Sequence, residues 1–346
     1  MIDLRSDTAT RPTAAMRAAI AGAAVGDEQR REDPSVTALQ ERAAALLGHE
    51  AALFLPTATM ANQIALRLHG RPGDLLVADQ RSHIVLYEFG GAAIHAGLMT
   101  VPVDGDRGRI PIEALLGATE PGARRGAPRV VLTVEDTHNA SGGRCQPPAH
   151  VAALLDAARA RGVRTHLDGA RLMNAAVAQG LPAARLAGGF DTVTLCLSKG
   201  LGCPLGAILA GSSELMARAW DEKHLFGGAM RQAGIVAAAG LHALAHHVER
   251  LAEDHVRART LATAWVEAGL PVDLAQVETN FVQVRVGELG LTSSTAIERL
   301  AAAGVGLSAA ADPGVLRAVT HLDVTDEDVE RAAALVPAAL GVAVRV

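Results

Sequence analysis

Short, unbroken apolar runs separated by helical stretches constrain this chain of 346 residues more than any other feature it has. "AALFLP", "DLLVAD", "LMTVPVD", "PRVVLTVED", "VRTHLDGA" and "DTVTLCLSKG" follow one another in that order. A strand that is apolar on both sides has no face to give to water and must be covered twice. The stretches between the runs supply the covering. "EDPSVTALQERAAALLG" reads as a helix: Asp33 caps it, Pro34 suits its first turn, Val36, Leu39, Ala43, Leu46 and Leu47 make an apolar stripe, and Gly48 ends it. Further helices are expected over "TATMANQIALRLHG", from about Val85, after Pro111, over "PAHVAALLDAARARG" and after Arg171. The alternation predicts an α/β fold with a mostly parallel sheet covered on both faces. After about Gly227 the character changes. An Ala-rich helical stretch from roughly Met230 to Ala268 leads into "TNFVQVRV", the helix "SSTAIERLAAAG", "VGLSAA", "VLRAVTHLDV" and a closing helix capped by "TDED", which together read as a small α+β unit. The expected division is an N-terminal arm and large domain over residues 1–245 and a small C-terminal domain over residues 246–346.

In an open α/β sheet ligands bind at the carboxyl ends of the strands. Asp168 ends "VRTHLDGA", Lys199 ends "DTVTLCLSKG", Glu135 ends "VVLTVED", and Thr57-Ala58-Thr59 follows "AALFLP" and opens a helix. Lys199 stands out because the chain has only two lysines, Lys199 and Lys223, among 32 Lys and Arg residues. Arginine can serve every charge and anion clamp, so a lysine kept in this background points to amine chemistry. A helix start with two hydroxyls and free N–H groups is a seat for phosphate. Lysine, carboxylate and phosphate seat together describe a pyridoxal phosphate enzyme, in which the lysine forms a Schiff base and the acid pairs with the ring nitrogen. Taken singly, Lys199 reads as a solvated lysine and Asp168 or the threonines as helix caps; their shared position on one sheet favours the functional reading.

Net charge of -5 and a pI near 6.2 argue against a nucleic-acid or membrane-surface partner and for a small-molecule substrate. The polar start "MIDLRSDTATRP" lacks a signal-peptide core, and a cytoplasmic location is expected. Cys145, Cys196 and Cys203 have no paired spacing and are expected to be reduced thiols. His83 stands just past "DLLVAD", where an imidazole suits either a cofactor ring or a structural hydrogen bond. His242 and His246 lie one turn apart at metal-ligand spacing, but no third ligand accompanies them, so a helix surface and no metal are expected.

"DLRSDTATRPT", "VGDEQRREDPSV", "PTATMANQIAL", "SHIVLYEFGGAA", "EDTHNASGGR", "HLDGARLMNA", "CLSKGLGCPLGA", "GGAMRQAG" and "RAVTHLDV", in this order, resemble the motifs of the low-specificity L-threonine aldolases over nearly the whole chain. These are pyridoxal phosphate enzymes of the aspartate-aminotransferase type, fold type I. The resemblance implies that Lys199 carries the cofactor, Asp168 pairs with its pyridine nitrogen and His83 stacks on its ring. It implies that Thr57, Ala58 and Thr59 hold the phosphate, with Lys223 or Arg231 contributing across a subunit interface. Ser6, Arg171 and Arg317 would grip the substrate carboxylate, with Arg171 also beside the cofactor. The implied reaction is retro-aldol cleavage of a β-hydroxy-α-amino acid to glycine and an aldehyde, with His83 or a water it orients as base, in a dimer or tetramer with shared active sites. A β-eliminating lyase, racemase or aminotransferase reaction is the alternative on the same scaffold. The sequence departs from the family pattern at three places. Ala58 replaces a glycine, Arg30-Arg31 replaces an aromatic-glycine pair, and Arg124-Arg125 occupies a region where a histidine is usual. An added arginine suits an anionic β-substituent, as in a hydroxyaspartate-like substrate.

Overall fold

A mostly parallel sheet, as expected from the apolar runs, is the centre of the computed structural model, which describes residues 1–120, 122 and 128–342; it has seven strands. The strands in chain order are β1 Ile2–Asp3, β2 Ala51–Leu55, β3 Leu75–Asp79, β4 Met99–Val103, β5 Val130–Glu135, β6 Arg164–Asp168, β7 Thr192–Cys196, β8 Ala207–Gly211, β9 Phe281–Val284, β10 Val305–Gly306, β11 Ser308–Ala309 and β12 Leu316–Val319. The large sheet runs β2-β8-β7-β6-β5-β3-β4. Pairs from β4 through β7 are parallel, and β8 is antiparallel to both its neighbours. Every residue of β3, β5, β7 and β8 is buried, as strands covered on both faces require.

β8 is absent from the strands read in the sequence. It follows Gly206, whose φ of +114 only glycine holds easily, and a Cβ there would lie 2.7 Å from the Phe54 ring. The helix caps follow the sequence closely. Asp33 accepts from Val36 N at 3.0 Å, Pro34 opens helix Pro34–Leu47, and Gly48 closes it at a φ of +70. Thr325 and Asp328 form a reciprocal capping box on the closing helix Asp326–Ala339.

The Ala-rich stretch is not one helix. It breaks into Gly234–His246 and Leu251–Glu267. At the break the His247 imidazole leaves the helix surface for the Leu201 carbonyl, 2.8 Å away. The second hydrophobic core is gathered around the fully buried Trp265, whose indole donates to the Ala332 carbonyl at 3.2 Å. Ile2 and Leu4 belong to this core, and β1 pairs in parallel with β10. Residues 2–4 therefore join the small unit rather than the large domain, because two large apolar side chains find their burial there. Among the described residues no helix is long and apolar enough to cross a membrane.

Candidate active site

The carboxyl ends of the parallel strands open onto a cleft of about 390 Å³ whose walls include Ser6, His83, Tyr87, Arg171, Lys199 and Arg317. Lys199 is half-buried. Its carbonyl accepts from Thr10 Oγ1 and from Gly202 N, both at 2.8 Å, which pins the backbone and leaves the amine to the cleft. Asp168 is buried, with Oδ1 accepting from Ala170 N at 3.1 Å and Oδ2 from Asn62 Nδ2 at 2.9 Å. Among the described residues no lysine or arginine pairs with this carboxylate, so a buried anion has room for a cationic N–H donor.

The two arginines divide. Arg171 is buried and spends Nε and Nη2 on the two oxygens of Asp7, each at 2.7 Å. Burial alone would raise the Asp7 carboxyl, but the Arg171 charge and hydrogen bonds outweigh it and hold its pKa at about 2. Arg317 gives Nε to Ser308 Oγ at 3.0 Å and Nη1 to Asn139 Oδ1 at 2.7 Å, and no carboxylate among the described residues takes its fork. Burial, then the nearby Arg171 charge, lowers its pKa. Both guanidinium groups lie over the Phe281 ring, at 4.9 and 5.7 Å.

Helix Ala58–His69 begins at the Thr57 cap, whose hydroxyl accepts from Met60 N at 3.1 Å, and Thr57 and Thr59 are exposed. Ala58 has no need of a left-handed backbone: among the described non-glycine residues positive φ occurs at Arg31, Phe89 and Arg107. One turn on, Asn62 ties this helix to Asp168. Glu135, at the end of β5, accepts from His83 N at 2.5 Å and Asn139 N at 2.8 Å, so it fixes two cleft loops and does not itself face the ligand side. The amine of Lys199, the buried Asp168 carboxylate with no lysine or arginine partner among the described residues, and the open helix start at Thr57 to Thr59 are groups that would fit the pyridoxal phosphate expected from the sequence.

A family model described as beta-eliminating lyase matches residues 3–288. The low specificity L-threonine aldolase of Escherichia coli K12 is 41% identical over 96% of this chain and 98% of that protein. Low-specificity L-threonine aldolase 1 of Arabidopsis thaliana is 37% identical over 95% of this chain and 93% of its own. The chain belongs to the β-eliminating lyase family. A solved structure of a threonine aldolase from Leishmania major shares the fold, with a TM-score of 0.84, 16% identity, and coverage of 98% of this chain and 100% of its own.

Not every family position expected from the sequence reaches the cleft. Lys223 is fully buried, pairs with Glu28 and donates to the Phe54 carbonyl at 2.8 Å. Burial lowers its pKa against the opposing pull of Glu28. Its amine is a core ion pair, not a phosphate ligand. Arg231 is exposed and, among the described residues, its guanidinium pairs with Asp27 at 3.3 Å. Arg30 pairs with Asp27 at 3.9 Å, Arg31 lies 5.1 Å over the Trp220 ring, and neither lines this chain's cleft. Arg124 and Arg125 lie outside the described residues. His242 packs against His246 and His247, with ring centroids 4.7 and 5.1 Å apart.

Residues that the sequence reading passed over complete the site. Asp7 orients Arg171, Asn139 orients Arg317, and Tyr87 lies 5.5 Å from the His83 ring. Tyr87 carries a signal that could have found it: it is the only tyrosine in the chain.

Proposed function

We propose that this chain is a pyridoxal-phosphate-dependent aldolase that cleaves L-threonine, L-allo-threonine and related β-hydroxy-α-amino acids to glycine and an aldehyde. The observation that carries the reading is the meeting, in one cleft, of the Lys199 amine and the Arg317 fork that holds no carboxylate among the described residues. When bound, the cofactor draws off the electron pair left on Cα as a bond to that carbon breaks. The protein's part is to hold, orient and move one proton. Lys199 holds the cofactor through its amine, Asp168 faces the ring nitrogen, the Thr57 to Thr59 turn takes the phosphate and His83 packs on the ring. Arg317 takes the substrate carboxylate through a planar fork, and Ser6 adds a hydroxyl at the same wall. Arg171 acts mainly through Asp7, which keeps its guanidinium in place. A carboxylate fixed at one end decides which bond of Cα is presented for cleavage. His83 then takes the proton of the β-hydroxyl.

We assign Arg231 to the phosphate turn of a second copy, in a cytoplasmic homo-oligomer with shared active sites. Its exposed guanidinium supports this, as do the uncovered Phe89, Ile94 and Leu225, which are 96, 73 and 69% exposed. Among the described residues at the wall, Arg5, a third arginine, is held by Asp3 at 2.7 and 2.8 Å and offers no open fork to an acidic β-substituent.

Incubation with L-threonine, L-allo-threonine and L-phenylserine tests the proposal. Glycine and aldehyde should appear in equal amounts and vanish in Lys199→Ala. A keto acid with ammonia would move the chain to another reaction.

A further inference from the structure

Behind the cleft wall runs a buried string of polar side chains whose hydrogens can all be placed. Asn62 has Nδ2 within 2.8 Å of Glu88 Oε1 and 2.9 Å of Asp168 Oδ2, while its Oδ1 faces His166 Nε2 at 3.1 Å. An amide oxygen only accepts, so His166 donates from Nε2. Its Nδ1 must then accept from Thr192 Oγ1 at 2.9 Å, and that oxygen accepts from His69 Nε2 at 2.8 Å. Burial keeps both imidazoles neutral, with pKa values near 4 for His166 and near 3 for His69, which is what a string with one hydrogen per link requires. Asn62 thus has a single orientation, with one hydrogen for each carboxylate.

Glu88 is the less expected of those two carboxylates. Its side chain is fully buried, and it accepts from Asn62, from Gln63 Nε2 at 2.5 Å and from His83 Nδ1 at 3.0 Å. Gly91 leaves room for this arrangement, since a Cβ there would lie 2.7 Å from the Gln63 amide. With Nδ1 turned inward to a buried acceptor, the other ring nitrogen of His83 is the one left to the cleft. We infer that Glu88 is a positioning residue for the aldol cleavage: it fixes His83 with its hydrogen on Nδ1 and leaves Nε2 free to take the β-hydroxyl proton.

The inference rests on the aldolase reading above. In the step, the proton goes to Nε2, the O–H electron pair becomes the second bond of the aldehyde C=O, and the Cα–Cβ pair stays on Cα. Burial would lower the His83 pKa; the Glu88 hydrogen bond and the Asp168 charge raise it, the Lys199 charge opposes them, and the net direction is up. Besides these three groups, Glu135 takes the His83 backbone N–H and Tyr87 lies beside the ring.

Glu88→Met keeps much of the volume but takes away the acceptor that faces Nδ1, so the imidazole is no longer held in one tautomer. In the holoenzyme it should lower kcat about 100-fold, within the range for lost general-base catalysis, with KM nearly unchanged. The acid limb of the pH profile should move to lower pH. In a His83→Asn background the same change should add almost nothing, because the two residues act as one unit. Neutron diffraction of the unmutated holoenzyme should place the His83 hydrogen on Nδ1, a readout that needs neither turnover nor a variant. A hydrogen on Nε2 alone, or additive losses in the double variant, would overturn the inference. An active wild type with an unimpaired Glu88→Met variant would sink it and leave the aldolase standing. A wild type that releases no aldehyde would sink the aldolase, while the diffraction result still decides what Glu88 does to His83.

Discussion

A guanidinium has edges that can each hold a carboxylate, and what already occupies them separates Arg171 from Arg317. Arg171 has given one edge to Asp7 inside the protein, whereas Arg317 keeps neutral partners, Ser308 and Asn139, and holds its charge toward the cleft. Arg317→Lys preserves that charge but removes the planar fork. The expected outcome is a rise in KM for L-threonine of about 10-fold to 100-fold with a smaller effect on kcat, since a charge-assisted pair of hydrogen bonds contributes about 1.5–3 kcal/mol. Equal falls in kcat and kcat/KM, with KM unchanged, would mean that Arg317 acts on the transition state and not on the bound carboxylate. The rarity argument that singled out Lys199 applies equally to Tyr87, the one tyrosine of the chain, which stands at the cleft wall. Glu88 and Asn62 had no comparable mark. Nothing in "NQ" or "YEF" tells that two amides of one helix and a histidine will close on one carboxylate, because that depends on how a helix start and a loop after β3 are set side by side.

Helix starts were the most legible elements because a cap is a local matter of one side chain and the next few N–H groups. Asp33 shows where that legibility stops. Its carboxylate does cap Val36, and it also accepts from Gly26 N at 3.1 Å and Gly234 N at 2.8 Å, two partners no local rule names. The cap of one helix is therefore also the anchor of another, Gly234–His246. Asp33→Ala should cost about 2–4 kcal/mol, more than the ~1 kcal/mol of an ordinary cap, because buried N–H groups are left without acceptors. Chemical denaturation of the variant measures this; a loss of only ~1 kcal/mol would show the two distant bonds to be dispensable. The strands were legible where Val and Leu run together and illegible at β8, whose Ala and Gly are poor strand formers and whose antiparallel place depends on neighbours far away in sequence. The break between the two long helices was hidden for a similar reason: alanines on both sides favour helix, and the Leu201 carbonyl that draws His247 aside belongs to another part of the chain.

On the scale of the whole molecule, the arm that carries Ser6 and Asp7 bridges the small unit, through Ile2 and Leu4, and the large one, through Arg171. The bridge is a buried ion pair and should make the fold acid-sensitive. The Asp7 pKa is depressed in the folded state, from 3.8 to about 2, so its contribution is present above the unfolded value and is lost as pH falls from about 4 through about 2. A shift of that size corresponds to about 2 kcal/mol. Asp7→Asn should flatten this part of the stability curve, as read from thermal melts across the acid range. A wild-type curve already flat between those limits would count against the ion pair as a stabilising contact.

The pairing of Ile2–Asp3 with Val305–Gly306 also sets an order of events during synthesis. Ser308 accepts no role in the large sheet, yet it bonds the Arg5 carbonyl 303 residues before it and holds the Arg317 guanidinium. Residues 2–5 must wait, unplaced, for partners made 303 residues later. A nascent chain that has completed every strand of the large sheet still lacks one side of its cleft, the wall that carries Ser308 and Arg317, so Lys199 and Asp168 can be in place well before that guanidinium exists to face them.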